Sequence, residues 1–372
     1  MNANSTALAT PQAAAAKSDI YELLLPELED ALESLGQPRY RARQVMQWLY
    51  GKRARALATM TNLPAQLRAA LEQHYTLALP RVAEASAAED GVKKLLLRLA
   101  DQELIESVII PARGRVTLCI SSQVGCAMRC AFCATARMGL RRNLRAGEIV
   151  GEVLAAADEL EPPQQAFSNY VFMGMGEPLA NYARLRRALA VMTAEWGLGI
   201  SPRRITVSTV GLAPMMERLL AEIGVNLAVS LTAPTDAQRD RLAPINRRFP
   251  LAALLESCRR LALKRRQRIT FEYVMLKNVN DSKEDAERVV KLLAPLRAKV
   301  NLIFFNRFES ASFEPSPRQA VEQFQAILRQ GNLTATIRES RGRDIAAACG
   351  QLRVKAEQPS ARVKGGGHGC AQ

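Results

Sequence analysis

The sequence predicts an α/β fold in which parallel strands and helices alternate to form an open, partial barrel, preceded by a small helical domain. Short apolar runs rich in Val and Ile recur along the chain from about residue 92 onward. Amphipathic stretches separate these runs, and such alternation is typical of a parallel sheet covered by helices. Six strand–helix units are too few to close an eight-stranded barrel, so a partial (β/α)6 arrangement is expected.

The strand-like segments leave room for a helix between most of them. Strands are predicted over residues 92–100, 103–110, 116–122, 170–175, 204–210, 226–231, 269–276, 299–305 and 334–338. Helices are predicted between them, for example over residues 183–194, 251–263 and 283–296. This pattern divides the chain into a disordered N-terminus (1–18), a helical accessory domain (19–90), the barrel (91–353) and a flexible tail (354–372) that contains three consecutive glycines.

The chain is strongly basic, since 51 Lys and Arg residues against 36 Asp and Glu residues give a net charge of +15. Such a charge favours a polyanionic partner, because cationic side chains displace counterions from phosphates. Residues 34–71 contain no acidic residue, and Tyr40, Trp48 and Tyr50 lie among their cations. These cations are Arg39, Arg41, Arg43, Lys52, Arg53, Arg55 and Arg68. The segment predicts an RNA-binding surface; the alternative is a solvated helix face whose aromatic residues form a small core.

The start of the chain does not have the pattern of a secretion signal. A continuous apolar run is missing there, and Asp19 and Glu22 occur early. We also find no apolar stretch of the roughly 18–20 residues that a bilayer requires. We therefore expect a cytoplasmic protein without a membrane partner. Cysteines stay reduced in that compartment, so a group of them indicates metal binding or catalysis.

Three of the seven cysteines form such a group, with the spacing Cys126-x3-Cys130-x2-Cys133, directly after a predicted strand. Iron–sulfur clusters are normally held by four thiolates, so three would leave one iron open to a further ligand. A zinc site is the first alternative, but zinc usually takes four N or S ligands, and both histidines, His74 and His368, are remote in sequence. Three buried structural thiols are the second alternative.

The cysteine spacing matches the signature of the radical S-adenosylmethionine (SAM) superfamily, and longer segments resemble the RlmN/Cfr family of RNA methyltransferases. These segments are residues 118–126 (LCISSQVGC), 132–135 (FCAT), 139–144 (GLRRNL), 172–179 (FMGMGEPL), 208–211 (STVG), 244–246 (PIN) and 346–352 (AAACGQL). The similarity runs from about residue 37 to residue 352. It implies a partial (β/α)6 radical SAM barrel, a [4Fe–4S] cluster on Cys126, Cys130 and Cys133, and two SAM molecules per turnover.

A second motif, Gly174-Met-Gly176-Glu177-Pro178, follows a predicted strand, at the end of a parallel barrel where ligands bind. Its glycines would let the backbone approach SAM, and its carboxylate could accept from the SAM ammonium group. The alternative is an ordinary turn with proline in the first helical turn. The resemblance implies that Gly176, Glu177, Ser208, Ser230, Leu231, Thr232 and Asn306 surround SAM. Two positions depart from the family: Thr232 replaces the usual His, and residues 304–307 (FFNR) replace Trp/Tyr-Asn-Pro.

Two further cysteines, Cys119 and Cys349, and one carboxylate, Glu106, acquire roles from the resemblance. Adenine C2 is electron-poor, so it is not the nucleophile that ordinary methyl transfer requires. The family mechanism implies that Cys349 becomes S-methylcysteine and carries the methyl group, that Cys119 resolves the protein–RNA link by forming a disulfide with it, and that Glu106 accepts the ring proton. From the residues alone, either cysteine could be a small buried apolar residue and Glu106 a surface carboxylate.

The resemblance implies 23S ribosomal RNA, and also tRNA, as substrates, with flavodoxin or ferredoxin as an electron donor. Further arginines could hold phosphates, namely Arg141, Arg142, Arg145, Arg203, Arg204, Arg338, Arg341 and Arg343. Three alternatives remain at this point: methylation of adenine C8, another radical SAM reaction such as sulfur insertion, and a zinc-containing RNA-binding protein without enzymatic activity. Residues 121–125 and 340–345 favour C2 over C8, because they are closer to the RlmN branch.

Overall fold

The computed structural model describes residues 17–161, 166–309 and 311–354. The predicted disordered N-terminus (1–18) and flexible tail (354–372) therefore lie outside the described residues, except for Lys17, Ser18 and Val354. His368 also lies outside them.

Helices and strands alternate through most of the described chain. The helices are α1 (Leu25–Ser34), α2 (Arg41–Met46), α3 (Ala65–His74), α4 (Ala134–Arg137), α5 (Ala146–Asp158), α6 (Tyr182–Thr193), α7 (Ala213–Glu222), α8 (Asp236–Leu242), α9 (Leu251–Arg260), α10 (Lys283–Leu293) and α11 (Arg318–Gln330). The strands are β1 (Ser18–Asp19), β2 (Tyr75–Thr76), β3 (Arg81–Ala87), β4 (Lys93–Arg98), β5 (Leu104–Ala112), β6 (Arg115–Cys119), β7 (Gln123–Gly125), β8 (Leu140–Asn143), β9 (Asn169–Phe172), β10 (Ile205–Thr209), β11 (Asn226–Ser230), β12 (Ile269–Met275), β13 (Ala298–Phe304) and β14 (Thr334–Arg338).

The main sheet has the strand order β14-β13-β12-β11-β10-β9-β6-β5-β4-β3. Strands β6 and β9 to β14 pair in parallel, and helices connect each of them to the next. Strands β3 to β6 pair antiparallel and extend the sheet beyond the barrel. The predicted partial (β/α)6 barrel is confirmed, and each predicted strand is present with ends shifted by a few residues.

Strand β3 lies within residues 19–90, which the sequence analysis assigned to the helical accessory domain. It is instead part of the main sheet, paired with β4. Its side chains are mostly exposed, so it carries little apolar alternation, and backbone pairing at the sheet edge determines its structure. The described helices of this region are α1, α2 and α3, and the domain boundary at residue 90 stays a prediction.

The short 3-10 turn Ile20–Glu22, directly before helix α1, packs on helix α5 of the barrel. The Gly147 N–H donates to the Glu22 carboxylate (2.7 Å), and a Cβ at Gly147 would lie 2.9 Å from Tyr21. Tyr50, one of the three rings predicted to stack on RNA bases, is buried and packs edge-on against Tyr21. That ring is therefore a core residue, whereas Tyr40 is exposed.

Several predicted phosphate-binding arginines are already neutralised by acidic partners. Arg39 forms ion pairs with three carboxylates of helix α1, and Arg53 and Arg55 pair with Asp158. Further pairs involve Arg141, Arg142, Arg145 and Arg341, whose partners are Glu103, Asp101, Glu148 and Asp90. Asp158, Glu103, Asp101 and Asp90 are remote along the chain from the arginines they pair with, so the sequence did not reveal those pairs.

A membrane-spanning role has no support in the described helices, since none is both long and apolar enough to cross a bilayer.

Candidate active site

The three clustered cysteines lie in a loop that a short hairpin closes. Strand β7 leads into Cys126, and β8 returns antiparallel beside it. The Cys126 N–H donates to the Gly139 carbonyl (2.9 Å). Gly125 has φ +76°, and a Cβ on it would lie 1.8 Å from the Gly139 oxygen, so only glycine fits at this crossing. The hairpin thus fixes both ends of the cysteine-bearing loop.

Cys126, Cys130 and Cys133 line one cavity of about 150 Å³. Burial raises the pKa of Cys126 to about 12 and raises that of Cys130 well above its usual value, and the nearby Cys133 thiol adds to both shifts. Thiols in such surroundings ionise only when a bound cation supplies positive charge. Among the described residues, no three His, Cys, Asp or Glu side chains converge closely enough to hold a single metal ion. The donor set, three thiols around a shared cavity, fits a cluster held at its periphery.

Glycines 174 and 176 both line this cavity, but their missing side chains face the protein rather than a ligand. A Cβ on Gly174 would lie 2.7 Å from the Ile120 carbonyl, and one on Gly176 would lie 2.6 Å from the Gln123 side chain. Their packing is thus a second reason for glycine at both positions, and their close approach to SAM stays a prediction. They let the loop after β9 pack on the segment that leads into the cysteine loop.

Glu177 is buried in the wall of the same cavity. Its carboxylate accepts hydrogen bonds from the Leu179 N–H (3.1 Å) and the Val210 N–H (2.8 Å). Burial raises its pKa to about 7, although these hydrogen bonds oppose the shift. The turn interpretation of the motif is confirmed, because Glu177 caps the turn after β9 and Pro178 begins the next helical turn. Contact of the Glu177 carboxylate with SAM stays a prediction.

The remaining predicted SAM residues divide into two groups. Ser208, Ser230 and Asn306 line the cavity at the C-terminal ends of β10, β11 and β13. Leu231 and Thr232 are fully buried behind its wall. Thr232 has φ +62°, and within the described residues its hydroxyl lacks a hydrogen-bond partner. Contact of Leu231 and Thr232 with SAM stays a prediction.

A larger cavity, of about 610 Å³, occupies the barrel interior. We call it the lower cavity, and the cysteine-lined cavity the upper cavity. The lower cavity begins among residues at the N-terminal ends of the strands, such as Arg115, Asn169 and Lys299, and it reaches Cys119 in the middle of the barrel. Five residues line both cavities, namely Met173, Glu272, Ile303, Asn306 and Cys349. The two cavities therefore meet at Cys349.

The loop that carries Cys349 is attached to the cysteine loop and to β13. The Ala134 N–H donates to the Gly350 carbonyl (2.7 Å), and the Thr135 hydroxyl donates to the Leu352 carbonyl (2.6 Å). The Asn306 amide donates to the Cys349 carbonyl (3.2 Å), while its Oδ1 is buried without a partner among the described residues. Tertiary contacts thus bring Cys349 beside the cluster loop, more than 200 residues away in sequence.

Cys119 and Cys349 share the lower cavity, and both are free thiols, like the other cysteines of the described chain. Burial raises the pKa of Cys119, and nearby Cys349 raises it further. Arg338 opposes this shift, since its guanidinium lies near both thiols and Glu272. The sequence predicts Arg338 as a phosphate contact, whereas the structure directs it into the barrel.

Glu106 is buried, and it lines neither cavity. Its Oε1 pairs with Lys94 (3.0 Å), and its Oε2 accepts from the Arg353 N–H (2.8 Å), while neighbouring Leu352 lines the lower cavity. Glu272 was not singled out from the sequence, yet it lines both cavities. One of its oxygens accepts from Asn301 (3.0 Å), and the other has no partner within the described residues. The sequence signal that could have indicated Glu272 was a carboxylate within the mostly apolar predicted strand 269–276.

Comparison with known proteins identifies the class to which this barrel and its cysteine loop belong. Residues 120–293 match the Radical SAM superfamily, and residues 18–77 match the Ribosomal RNA large subunit methyltransferase N-terminal domain. Radical SAM proteins use SAM and a [4Fe–4S] cluster, so the chain has these two cofactors.

Whole-chain relatives define the family more narrowly. The Dual-specificity RNA methyltransferase RlmN of Syntrophus aciditrophicus is 46% identical over 91% of this chain and 97% of its own length. That of Geobacter sulfurreducens is 49% identical over 91% and 92%. A crystal structure of a radical SAM methyltransferase from Sphaerobacter thermophilus superposes with a TM-score of 0.86 at 45% identity, covering 90% of this chain and 99% of that one. The chain belongs to the RlmN family of radical SAM methyltransferases.

Proposed function

We propose that this protein methylates C2 of an adenine in RNA and that Cys349 carries the methyl group. One observation supports this most directly: Cys349 lies where the cysteine-lined upper cavity meets the larger lower cavity. A group carried on its sulfur can therefore be loaded from one side and delivered on the other. An adenine extruded from its RNA, as an internal base must be, would reach Cys349 through the lower cavity.

The residues of the upper cavity suit the two cofactors. Cys126, Cys130 and Cys133 would hold the cluster. Glu177 and Asn306 line the same cavity, and their carboxylate and free amide oxygen could accept from the ammonium group of SAM. When bound, SAM and the cluster supply the methyl group, the radical that removes one hydrogen atom from it, and the acceptor for the surplus electron. We assign two SAM molecules to each turnover.

The protein side chains perform the remaining steps. Cys349 Sγ loses its thiol proton and takes a methyl group. After hydrogen removal, the methylene carbon bonds to adenine C2, and the ring proton passes to a base, for which we retain Glu106. Cys119 then attacks Cys349 Sγ, the S–CH2 bond breaks, and the carbon left on adenine takes a proton. A disulfide remains, which an external dithiol reduces. The shared lower cavity supports this pairing.

Substrate and setting follow from the family. The relatives are named dual-specificity RNA methyltransferases, so we propose 23S ribosomal RNA and tRNA as substrates. We further propose a flavodoxin or ferredoxin as electron donor. A cytoplasmic reaction is consistent with the free thiols of the described chain.

The decisive experiment is anaerobic incubation of the cluster-loaded protein with reductant, labelled SAM and ribosomal RNA that lacks the modification. We expect label on RNA, with 2-methyladenosine after digestion. Cys349→Ala should abolish labelling, and Cys119→Ala should accumulate a covalent protein–RNA adduct. Cys258→Ala is the matched control, because Cys258 is a buried thiol of helix α9 that lines neither cavity.

Each competing function has its own outcome. 8-Methyladenosine would replace C2 by C8, and a sulfur-containing nucleoside would indicate sulfur insertion. A colourless protein with zinc and without iron would indicate a non-enzymatic RNA-binding protein. Labelled RNA from Cys349→Ala would reject Cys349 as the methyl carrier.

A further inference from the structure

The loops that enter β12 and β13, at the N-terminal end of the barrel, form a strongly cationic surface. Residues 261–268 and 294–297 contain no acidic residue. We call the five cations of these loops the basal patch: Lys264, Arg265, Arg266, Arg268 and Arg297. All five are exposed, and none forms an ion pair within residues 17–161, 166–309 and 311–354. Their charges are thus available to a polyanion.

Hydrogen bonds hold these loops side by side. The Arg297 guanidinium donates to the Lys264 carbonyl (2.9 Å) and to the two neighbouring carbonyls. Arg268 donates to the Thr334 hydroxyl at the start of β14 (2.8 Å), and the Gln267 amide donates to the carbonyl that precedes β11 (2.9 Å). The patch is therefore a preorganised surface, and binding a ligand requires less ordering than it would in a free loop.

The basal patch also borders the mouth of the lower cavity. Thr270 and Lys299 line that cavity, and Lys299 is exposed, so the cavity reaches the surface at Lys299. Thr270 of β12 pairs with Lys299 of β13. Arg268 and Arg297 each lie two residues before one of these paired residues, directly before the strands begin. A nucleotide whose base enters the cavity would thus have its flanking phosphates near these guanidinium groups.

We propose that the basal patch is the docking surface for the phosphate backbone of the RNA, which thereby presents its target base to the mouth of the lower cavity. This inference rests on the proposed function and adds the face of the protein that RNA contacts. It differs from the sequence-based expectation, which placed the RNA surface in residues 34–71. Three arginines there are held in ion pairs, whereas the basal patch has no such competitors among the described residues.

The test neutralises the three patch residues whose side chains make no hydrogen bond in the described structure, as Lys264→Gln/Arg265→Gln/Arg266→Gln. Binding of a labelled RNA hairpin with one loop adenine is measured against KCl concentration. Each lost phosphate contact lowers the slope of log K against log[salt] by about 0.7 and weakens binding about fourfold at 0.15 M salt. We expect a slope reduced by about 2, affinity weakened about 50-fold, and KM for RNA raised with kcat unchanged.

A matched control removes the same charge elsewhere, as Arg218→Gln/Arg259→Gln/Arg260→Gln. These exposed residues pair with carboxylates on helices α7 and α9. We expect wild-type RNA affinity from this control. Methylation of Cys349 without RNA, followed by mass spectrometry, should be unchanged in both triple variants.

Several results would overturn the inference. An unchanged salt slope and an unchanged KM for RNA in the patch variant would overturn it. A lower melting temperature with unchanged RNA binding would also overturn it, because the cations would then only stabilise helix C-termini. A defect seen with a protein electron donor but absent with dithionite would reassign the patch to that donor. Failure of the wild-type protein to methylate any RNA would instead refute the proposed function. Failure of the inference and failure of the proposed function are therefore distinguishable.

Discussion

Glu152 allows a prediction whose magnitude follows from burial. This carboxylate lies on helix α5, fully buried. One oxygen accepts from the Ser107 hydroxyl and the Ser121 N–H (3.0 Å), and the other has no partner within the described residues. Burial raises its pKa from 4.5 to about 8, because the charged form loses its hydration. Glu152 is therefore neutral at pH 7.

The sign of the resulting pH dependence follows from linkage. Between pH 4.5 and 8 the folded protein holds a proton that the unfolded chain releases, so stability falls as pH rises. One pKa unit corresponds to about 1.4 kcal/mol, so the shift lowers the free energy of unfolding by about 5 kcal/mol by pH 8. Above pH 8 there is no further loss. Glu152→Gln keeps the shape and removes the titration. The variant should therefore gain stability relative to wild type as pH rises from 5.5 to 8.5.

The assay is urea unfolding of the anaerobically purified protein at four pH values between 5.5 and 8.5. Glu148→Gln, one helical turn away, is the control of opposite sign. Burial also disfavours the Glu148 carboxylate, but hydrogen bonds from Arg142 and Arg145 outweigh it and lower its pKa. Its charge therefore stabilises the fold above pH 4.5, and the variant should be destabilised throughout the tested range. A constant difference between wild type and Glu152→Gln, within about 0.5 kcal/mol, would refute the argument from burial.

Three further predictions concern the site itself. Gly125→Ala should prevent cluster assembly and lower the iron content, because its Cβ would overlap the Gly139 carbonyl. Gly114→Ala is the control and should keep its iron, because Gly114 has a similar φ of +71° and nothing within 4 Å of its Cβ. Equal iron in both variants would contradict this. Glu272→Gln should lower RNA methylation about a hundredfold, the lower end of the effect of losing a group that transfers a proton, because Glu272 lines both cavities and one of its oxygens has no partner among the described residues. Glu106→Gln tests the retained base: loss of C2-proton release with Cys349 methylation intact supports it, and a wild-type rate rejects it.

The sequence by itself determined most of the fold. Strands β9 to β14 are covered by helices on the outer face and line the barrel interior with the other, so their apolar runs are strong and the predicted strands are present. Strand β3 escaped prediction because it lies at the sheet edge with exposed side chains. The cluster cysteines were also recognisable, since their spacing within one loop is a local property of the chain.

Only the tertiary structure decided which distant groups meet. Cys119 and Cys349 share a cavity because β6 and the C-terminal loop converge inside the barrel, and sequence spacing carries no record of that. The same holds for charge: Arg53 and Arg55 are predicted to be available from the sequence, but Asp158 of α5 lies beside them in the structure. Periodicity encodes which face of an element is buried, but contacts between remote segments arise only when those faces pack together, and there the site and its free charges are determined.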